Sequence, residues 1–174
     1  TALGTYTGKT MTGQDVSYND SGLLHRQGAT LLAAAEDTSA ASIKVYKSTD
    51  MYTNVTLVAT ISSSSGPKGW ATYYDRSGVE RPLLATAEGV YYIDLANSLA
   101  VMLLPMSTHT NNGLRMRVWE GRLYIPIGGT GGAKMHRVTW TGSTMIVETI
   151  GPGKDDGLPT DRQADISTLF PVEG

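Results

Sequence analysis

The sequence predicts an all-β fold assembled from a repeated unit of short antiparallel strands. Three observations predict it. The apolar runs have strand length, with a turn residue at nearly every joint. Several runs alternate clearly between apolar and polar positions. Four segments align on one glycine. Of 174 residues, 20 are Gly, 9 are Tyr and one is Phe. A mixture of Gly, Thr, Ser, Val and Tyr suits short strands joined by tight turns.

Taken in order, the stretch nearest to a helix is 29–37, with Leu31, Leu32 and a run of three alanines. Its apolar residues are continuous rather than spaced by three and four, and a strand follows closely. The remaining runs are 43–46, 55–61, 70–74, 83–87, 90–93, 99–104, 114–119, 123–127, 134–140 and 145–150, divided by Gly, Asn, Ser, Pro or Asp. Such spacing reads as all-β. Alternation in Ile43-Lys-Val-Tyr-Lys, Met116-Arg-Val-Trp and Met135-His-Arg-Val-Thr-Trp predicts one buried and one wet face for those strands.

The aligned glycines are Gly28, Gly78, Gly121 and Gly174, about 50, 43 and 53 residues apart. That period is close to the roughly 40–50 residues of a propeller blade. The unit reads as strand, Gly turn, apolar strand, small-residue turn, alternating strand, turn and final strand. Stretches 31–35, 83–87 and 123–127 each follow the glycine and carry no charge. They are expected to be inner strands, packed on both sides, with Leu83, Leu84, Leu123, Tyr124 and Ile125 buried. The expected organisation is a single propeller-like domain over 1–174. Its repeats are expected near 25–68, 69–112 and 113–163, with the start of a fourth at 164–174. Closed propellers have about 4–8 blades. The chain is therefore expected to be part of a larger propeller, or to close with other chains. The start at Thr1 and the stop after Phe170-Pro-Val-Glu-Gly174 are read the same way.

Two stretches resemble regulator-propeller repeats. Asp156-Gly-Leu-Pro-Thr-Asp-Arg-Gln-Ala-Asp-Ile-Ser-Thr-Leu-Phe-Pro-Val-Glu-Gly174 is similar to that family's Asp-Gly-Leu-Pro joint, strand and turn glycine. Leu83-Leu-Ala-Thr-Ala-Glu-Gly-Val-Tyr-Tyr-Ile-Asp94 resembles the following apolar and aromatic strands, without the family's usual Trp. Val45-Tyr-Lys-Ser-Thr-Asp-Met-Tyr-Thr-Asn-Val-Thr-Leu57 resembles the Asp-box of sialidase-type propellers. The resemblance implies a propeller fold more than an activity.

Chemistry-bearing residues are scattered. His25, His109 and His136 occupy different repeat positions with no metal-ligand spacing, and are expected at the surface or rim. Asp155, Asp156, Asp161 and Asp165 form the densest acidic group, but Lys154, Pro159 and Arg162 interrupt calcium-loop spacing. A solvated connection between blades is expected there. Asp75, Arg76, Glu80 and Arg81 are expected to pair across a turn. Gly128-Gly-Thr-Gly-Gly132 lacks the Lys-Ser/Thr of a phosphate loop and reads as a hairpin turn. Stretch 62–69 reads as an exposed linker. Trp70, Tyr73, Tyr74, Tyr91, Tyr92, Trp119, Tyr124 and Trp140 are expected to pack between sheets, with sugar stacking as the alternative. Asn19-Asp-Ser21 and Asn54-Val-Thr56 match the N-glycosylation pattern.

Charged residues make up only 17% and the net charge is −2, so no overall basic field draws nucleic acid or anionic lipid. No apolar run approaches the roughly 20 residues that span a bilayer. Cysteine is absent, which removes disulfides and thiolate chemistry. The expectation is therefore a chain that is not an enzyme, with no catalytic residues, cofactor or metal. It would be a structural or adhesion module of a virion tail, fibre or surface assembly, extracellular or on a virion. Its partners would be other protein chains and a surface glycan, with no nucleic acid and no membrane. The alternative expectation is an extracellular sensor or glycan-binding propeller.

Overall fold

The computed structural model describes residues 23–50, 53–128, 134–141 and 143–151. Every regular element among them is a strand. The first sheet holds β1 (Leu23–Gln27), β2 (Thr30–Asp37), β3 (Ser42–Ser48) and β4 (Thr56–Ser62). The second holds β5 (Gly69–Tyr74), β6 (Glu80–Ala85), β7 (Gly89–Asp94) and β8 (Leu99–Pro105). The third holds β9 (Arg117–Trp119), β10 (Arg122–Ile127), β11 (Lys134–Trp140) and β12 (Met145–Ile150). Each is a four-stranded antiparallel meander in chain order. β5 lies against β1 and β9, and β8 lies against β4. First strands thus stack together and fourth strands form an outer rim, which is the arrangement of consecutive propeller blades.

The aligned glycines hold the turn between the first and second strand of each sheet. Gly28, Gly78 and Gly121 have φ of 56°, 76° and 70°. A Cβ on any of the three would meet nothing within 4 Å, so backbone conformation, not space, selects glycine. Glu120 also has positive φ, at 48°, so Glu120-Gly121 makes a two-residue hairpin turn with both centres left-handed. The turns at the same end between third and fourth strands are closed by side chains. Asp50 accepts from the Asn54 backbone and amide, Asp94 accepts from Ala96, Asn97 and the Asn97 amide, and Thr141 bonds Thr144 in both directions. Short polar side chains bonding their own backbone are the chemistry of such turns.

Two layers of side chains fill the spaces between sheets. Leu32, Ala34, Ile43, Val45, Val58 and Ile61 meet Trp70, Leu84 and Ile93 between the first and second sheets. Ala71, Tyr73, Leu83, Ala85 and Val90 meet Met116, Leu123, Ile125, Val138 and Trp140 between the second and third. The middle sheet therefore alternates its burial, Leu84 one way and Leu83 the other, as a period of two requires.

Both prolines inside second strands sit where the next ladder has stopped. β6 pairs with β7 only from Leu83, just past Pro82. β10 pairs with β9 only to Tyr124, short of Pro126. A residue without an N–H is tolerated there. The Pro126 carbonyl instead accepts from Gly113 N at 2.7 Å.

Three expectations need correction. The run 114–119 forms a strand only over Arg117–Trp119, because Gly113 and Arg115 both take positive φ and turn the chain. Tyr124 is half-buried, since it points away from the packed face that takes Leu123 and Ile125. Stretch 62–69, expected as an exposed linker, is largely packed: Ser63, Gly66, Pro67 and Gly69 are buried, and Ser63 and Ser64 bond Glu88. The fourth repeat at 164–174, the acidic group at Asp155, Asp156, Asp161 and Asp165, Asn19-Asp-Ser21 and most of the Gly128–Gly132 loop lie outside the described residues.

Candidate functional site

A meander alternates its connections, so second-to-third turns and sheet-to-sheet crossings gather at one end of the stack. Glu88 is the centre of that end. Its carboxylate accepts from Ser63 Oγ at 2.7 Å, Ser64 N at 2.7 Å, the Ser64 hydroxyl and Thr86 Oγ1 at 3.1 Å. Burial pushes the carboxyl up, but the donors from Ser64, Ser63 and Thr86 outweigh it and hold it below the ordinary glutamate value. An ionised carboxylate whose lone pairs are engaged is an anchor rather than a proton donor. Nearby, the buried Asn112 amide donates to the Ala87 and Ser107 carbonyls and its oxygen accepts from Gly128 N.

The opposite end carries the charged turn anticipated at 75–81. Asp75 accepts from Ser77 N, Val79 N and Arg81 Nε, the last at 3.0 Å. The Ser77 hydroxyl, then Val79 N and Arg81, hold its carboxyl down at about 2 against the opposing push of burial. Arg81 continues inward. One nitrogen donates to the Tyr92 hydroxyl at 2.9 Å, and the guanidinium lies 5.2 Å from the Tyr92 ring and 5.8 Å from Trp140. These contacts seal the seam between the second and third sheets.

The histidines stand in three separate places. His25 stacks on Trp70 at 5.3 Å and bonds Thr72. His109 lies in the loop after β8, its Nδ1 accepting from Asn111 N. His136 on β11 meets Thr149. Among the described residues no three His, Cys, Asp or Glu side chains group to hold a metal.

The aromatic residues divide. Trp70, Tyr73 and Trp140 are buried between sheets, whereas Tyr74 and Trp119 are exposed. Trp119 shares the outward face of the third sheet with Tyr124, their rings 6.0 Å apart. The register sets Arg117 opposite Tyr124, Arg137 on its other side and Glu148 beyond, with Arg122 opposite Trp119. Arg137 bonds Glu148 at 2.6 Å. This row of guanidinium groups flanking an exposed Trp119 and a half-buried Tyr124 was not anticipated. Its signal was present as Arg117-x-Trp119 and Arg122-x-Tyr124, two alternating pairs facing one way across a glycine turn.

No family model matches the chain, and no curated protein matches it. One solved structure is similar, titled a bifunctional GH43-CE from Bacteroides eggerthii, with a TM-score of 0.43 and 9% identity. The similarity covers 74% of this chain and 19% of that one. The expectation that the chain is not an enzyme is corrected by this neighbour and is withdrawn. At that identity and score the likeness gives no residue here a role. The fold rests on the chain's own geometry: three blade-like sheets of an all-β, propeller-like architecture.

Proposed function

We propose that the chain is a structural or adhesion module that takes its place among other protein chains, as in a viral tail, fibre or surface assembly. One observation carries the reading. Among the described residues the rim strands β4, β8 and β12 each have one unpaired edge and expose Leu57, Leu99, Val101, Met102, Ile146 and Val147. Glu148 is the single charged residue on the three. Open edges are normally protected by charge or proline because they template association. An apolar rim with so little charge is suited to contact with neighbours. Sedimentation velocity over a concentration series tests the reading. Association lost in a Val101→Lys/Met102→Lys variant of unchanged melting temperature supports it. Association unaffected by the variant, or absent at every concentration, overturns it.

Two finer readings belong here. The blades are of regulator-propeller kind, with an Asp-box-like third turn, supported by Asp50 accepting from Ser48 and Asn54 between β3 and β4. The second functional reading is an extracellular sensor or glycan-binding propeller, supported by Trp119 standing 46% exposed beside Tyr124. A glycan array separates it from purely structural docking.

A further inference from the structure

We infer that the outward face of the third sheet binds a linear anionic glycan, one carrying carboxylate or sulfate groups on its sugar rings. The inference rests on the glycan-binding reading and adds a site and a ligand class. Three features lead to it. The Trp119 and Tyr124 rings lie 6.0 Å apart on an open sheet face, and an aromatic face packs well against the apolar face of a pyranose. Arg117 and Arg137 flank Tyr124 on neighbouring strands whose backbones are about 10 Å apart, a span comparable with a disaccharide. Arginine matches carboxylate and sulfate oxygens with paired donors. The charge balance is also local. Three guanidinium groups face Glu148, already bonded to Arg137, and Glu120 of the adjoining turn, on a chain whose net charge is −2.

The repeat strengthens the argument. On the corresponding face of the first sheet, β2 presents Leu32 and Ala34 to the second sheet, and both are fully buried. On that face of the second sheet, β6 presents Leu83 and Ala85 to the third, again fully buried. At the third sheet β10 presents an exposed Arg122 and a half-buried Tyr124 instead. The strands repeat, but this face abandons the small apolar residues that sheet-on-sheet packing uses. A single-stranded nucleic acid also stacks on rings and pairs with arginine, yet its affinity depends on neutralising many phosphates. A face with an excess of one or two charges fits a sparser polyanion.

Affinity electrophoresis tests the site, with gels containing polygalacturonate, heparin or neutral dextran, and oligothymidylate as a competitor. Retardation by polygalacturonate assigns carboxylate, and retardation by heparin assigns sulfate. Either is expected to weaken at least tenfold in Trp119→Ala and several-fold in Arg117→Gln/Arg122→Gln. The Val101→Lys/Met102→Lys rim variant should bind as the unmodified protein does, and calorimetric melting should show all variants folded. Equal retardation by dextran overturns the anionic assignment. Complete displacement by oligothymidylate at lower concentration overturns it in favour of nucleic acid. Binding that survives both face variants overturns the site but leaves glycan binding standing. No retardation in any gel overturns the site and the glycan-binding reading together.

Discussion

Tyr73→Phe removes one oxygen from the seam between the second and third sheets and leaves no cavity. Tyr73 is 2% exposed. Its hydroxyl donates to the Gly121 carbonyl at 3.0 Å and accepts from Trp140 N at 3.0 Å. Both partners belong to the third sheet and its turn, so the phenol is a two-ended tie between sheets. Gly121 lies in an exposed turn and its carbonyl can exchange the phenol for water. Trp140 is 3% exposed, and its N–H has no such exchange. Leaving a buried donor unsatisfied costs about 1–3 kcal/mol, against about 1 kcal/mol for losing an ordinary hydrogen bond. The expected loss is therefore about 1–3 kcal/mol, read by urea unfolding with the slope m unchanged. Each kcal/mol corresponds to about 2–4 °C in Tm at this size. Tyr74→Phe is the control, since Tyr74 is 60% exposed and its change should stay within about 0.5 kcal/mol. A Tyr73→Phe protein indistinguishable from its Tyr74→Phe control would refute the reasoning.

Leu84→Ala, at a fully buried position between the first and second sheets, should cost about 2–5 kcal/mol in the same assay. Gly121→Ala should cost only the roughly 1–2 kcal/mol of a left-handed backbone. Gly113→Ala should cost clearly more, because its φ is 67° and its Cβ would also run into the Ala85 side chain. Melting curves against pH should show two acid losses. His25 is pushed down by burial, so the unfolded chain takes its proton first and stability falls as pH drops below about 6.5. Asp75 is held at about 2, so its contribution is complete above the unfolded value near 3.8 and fades as pH falls toward 2. Asp75→Asn should reduce the second loss without abolishing it, because Asp37, Asp50, Glu88, Asp94 and Glu148 are also held down by their hydrogen-bond donors.

Short-range patterns made the blades legible. Runs 134–140 and 145–150 coincide with β11 and β12 because Gly and Thr turns bound them sharply. The glycine alignment found three turns that share one left-handed requirement. β1 was harder to see, since Leu23-Leu-His-Arg-Gln has adjacent leucines and no clean alternation, and Leu24 is exposed. The ties between sheets were invisible for another reason. Tyr73 and Trp140 are 67 residues apart, and Glu88 is 25 from Ser63, with nothing local to mark either pair. The open face was written in plain alternation, but net charge averaged over the chain concealed a local excess of arginine.

Both ends of the stack carry bonds between sheets, and this bears on where function can reside. At the glycine end, most turns close on themselves: Asp50 on Asn54, Asp94 on Asn97, Thr141 on Thr144. Bonds between sheets are present there too: Gln27 donates to the Glu80 carbonyl, Lys47 to the Leu95 carbonyl and Tyr73 to the Gly121 carbonyl. At the other end the turn and crossing side chains themselves bond from one sheet to the next. Glu88 grips Ser63 and Ser64, and Asn112 links Ala87 to Gly128. These bonds fix the spacing of one sheet against the next, which apolar contact alone does not do because it is non-directional. With the sheets tied at both ends, the rim strands and the outward face of the third sheet can vary in sequence without moving the core. Trp119, Arg117 and Arg122 belong to that free set, set beside the Glu120-Gly121 turn. The residues most able to acquire a binding role are those that the fold least requires.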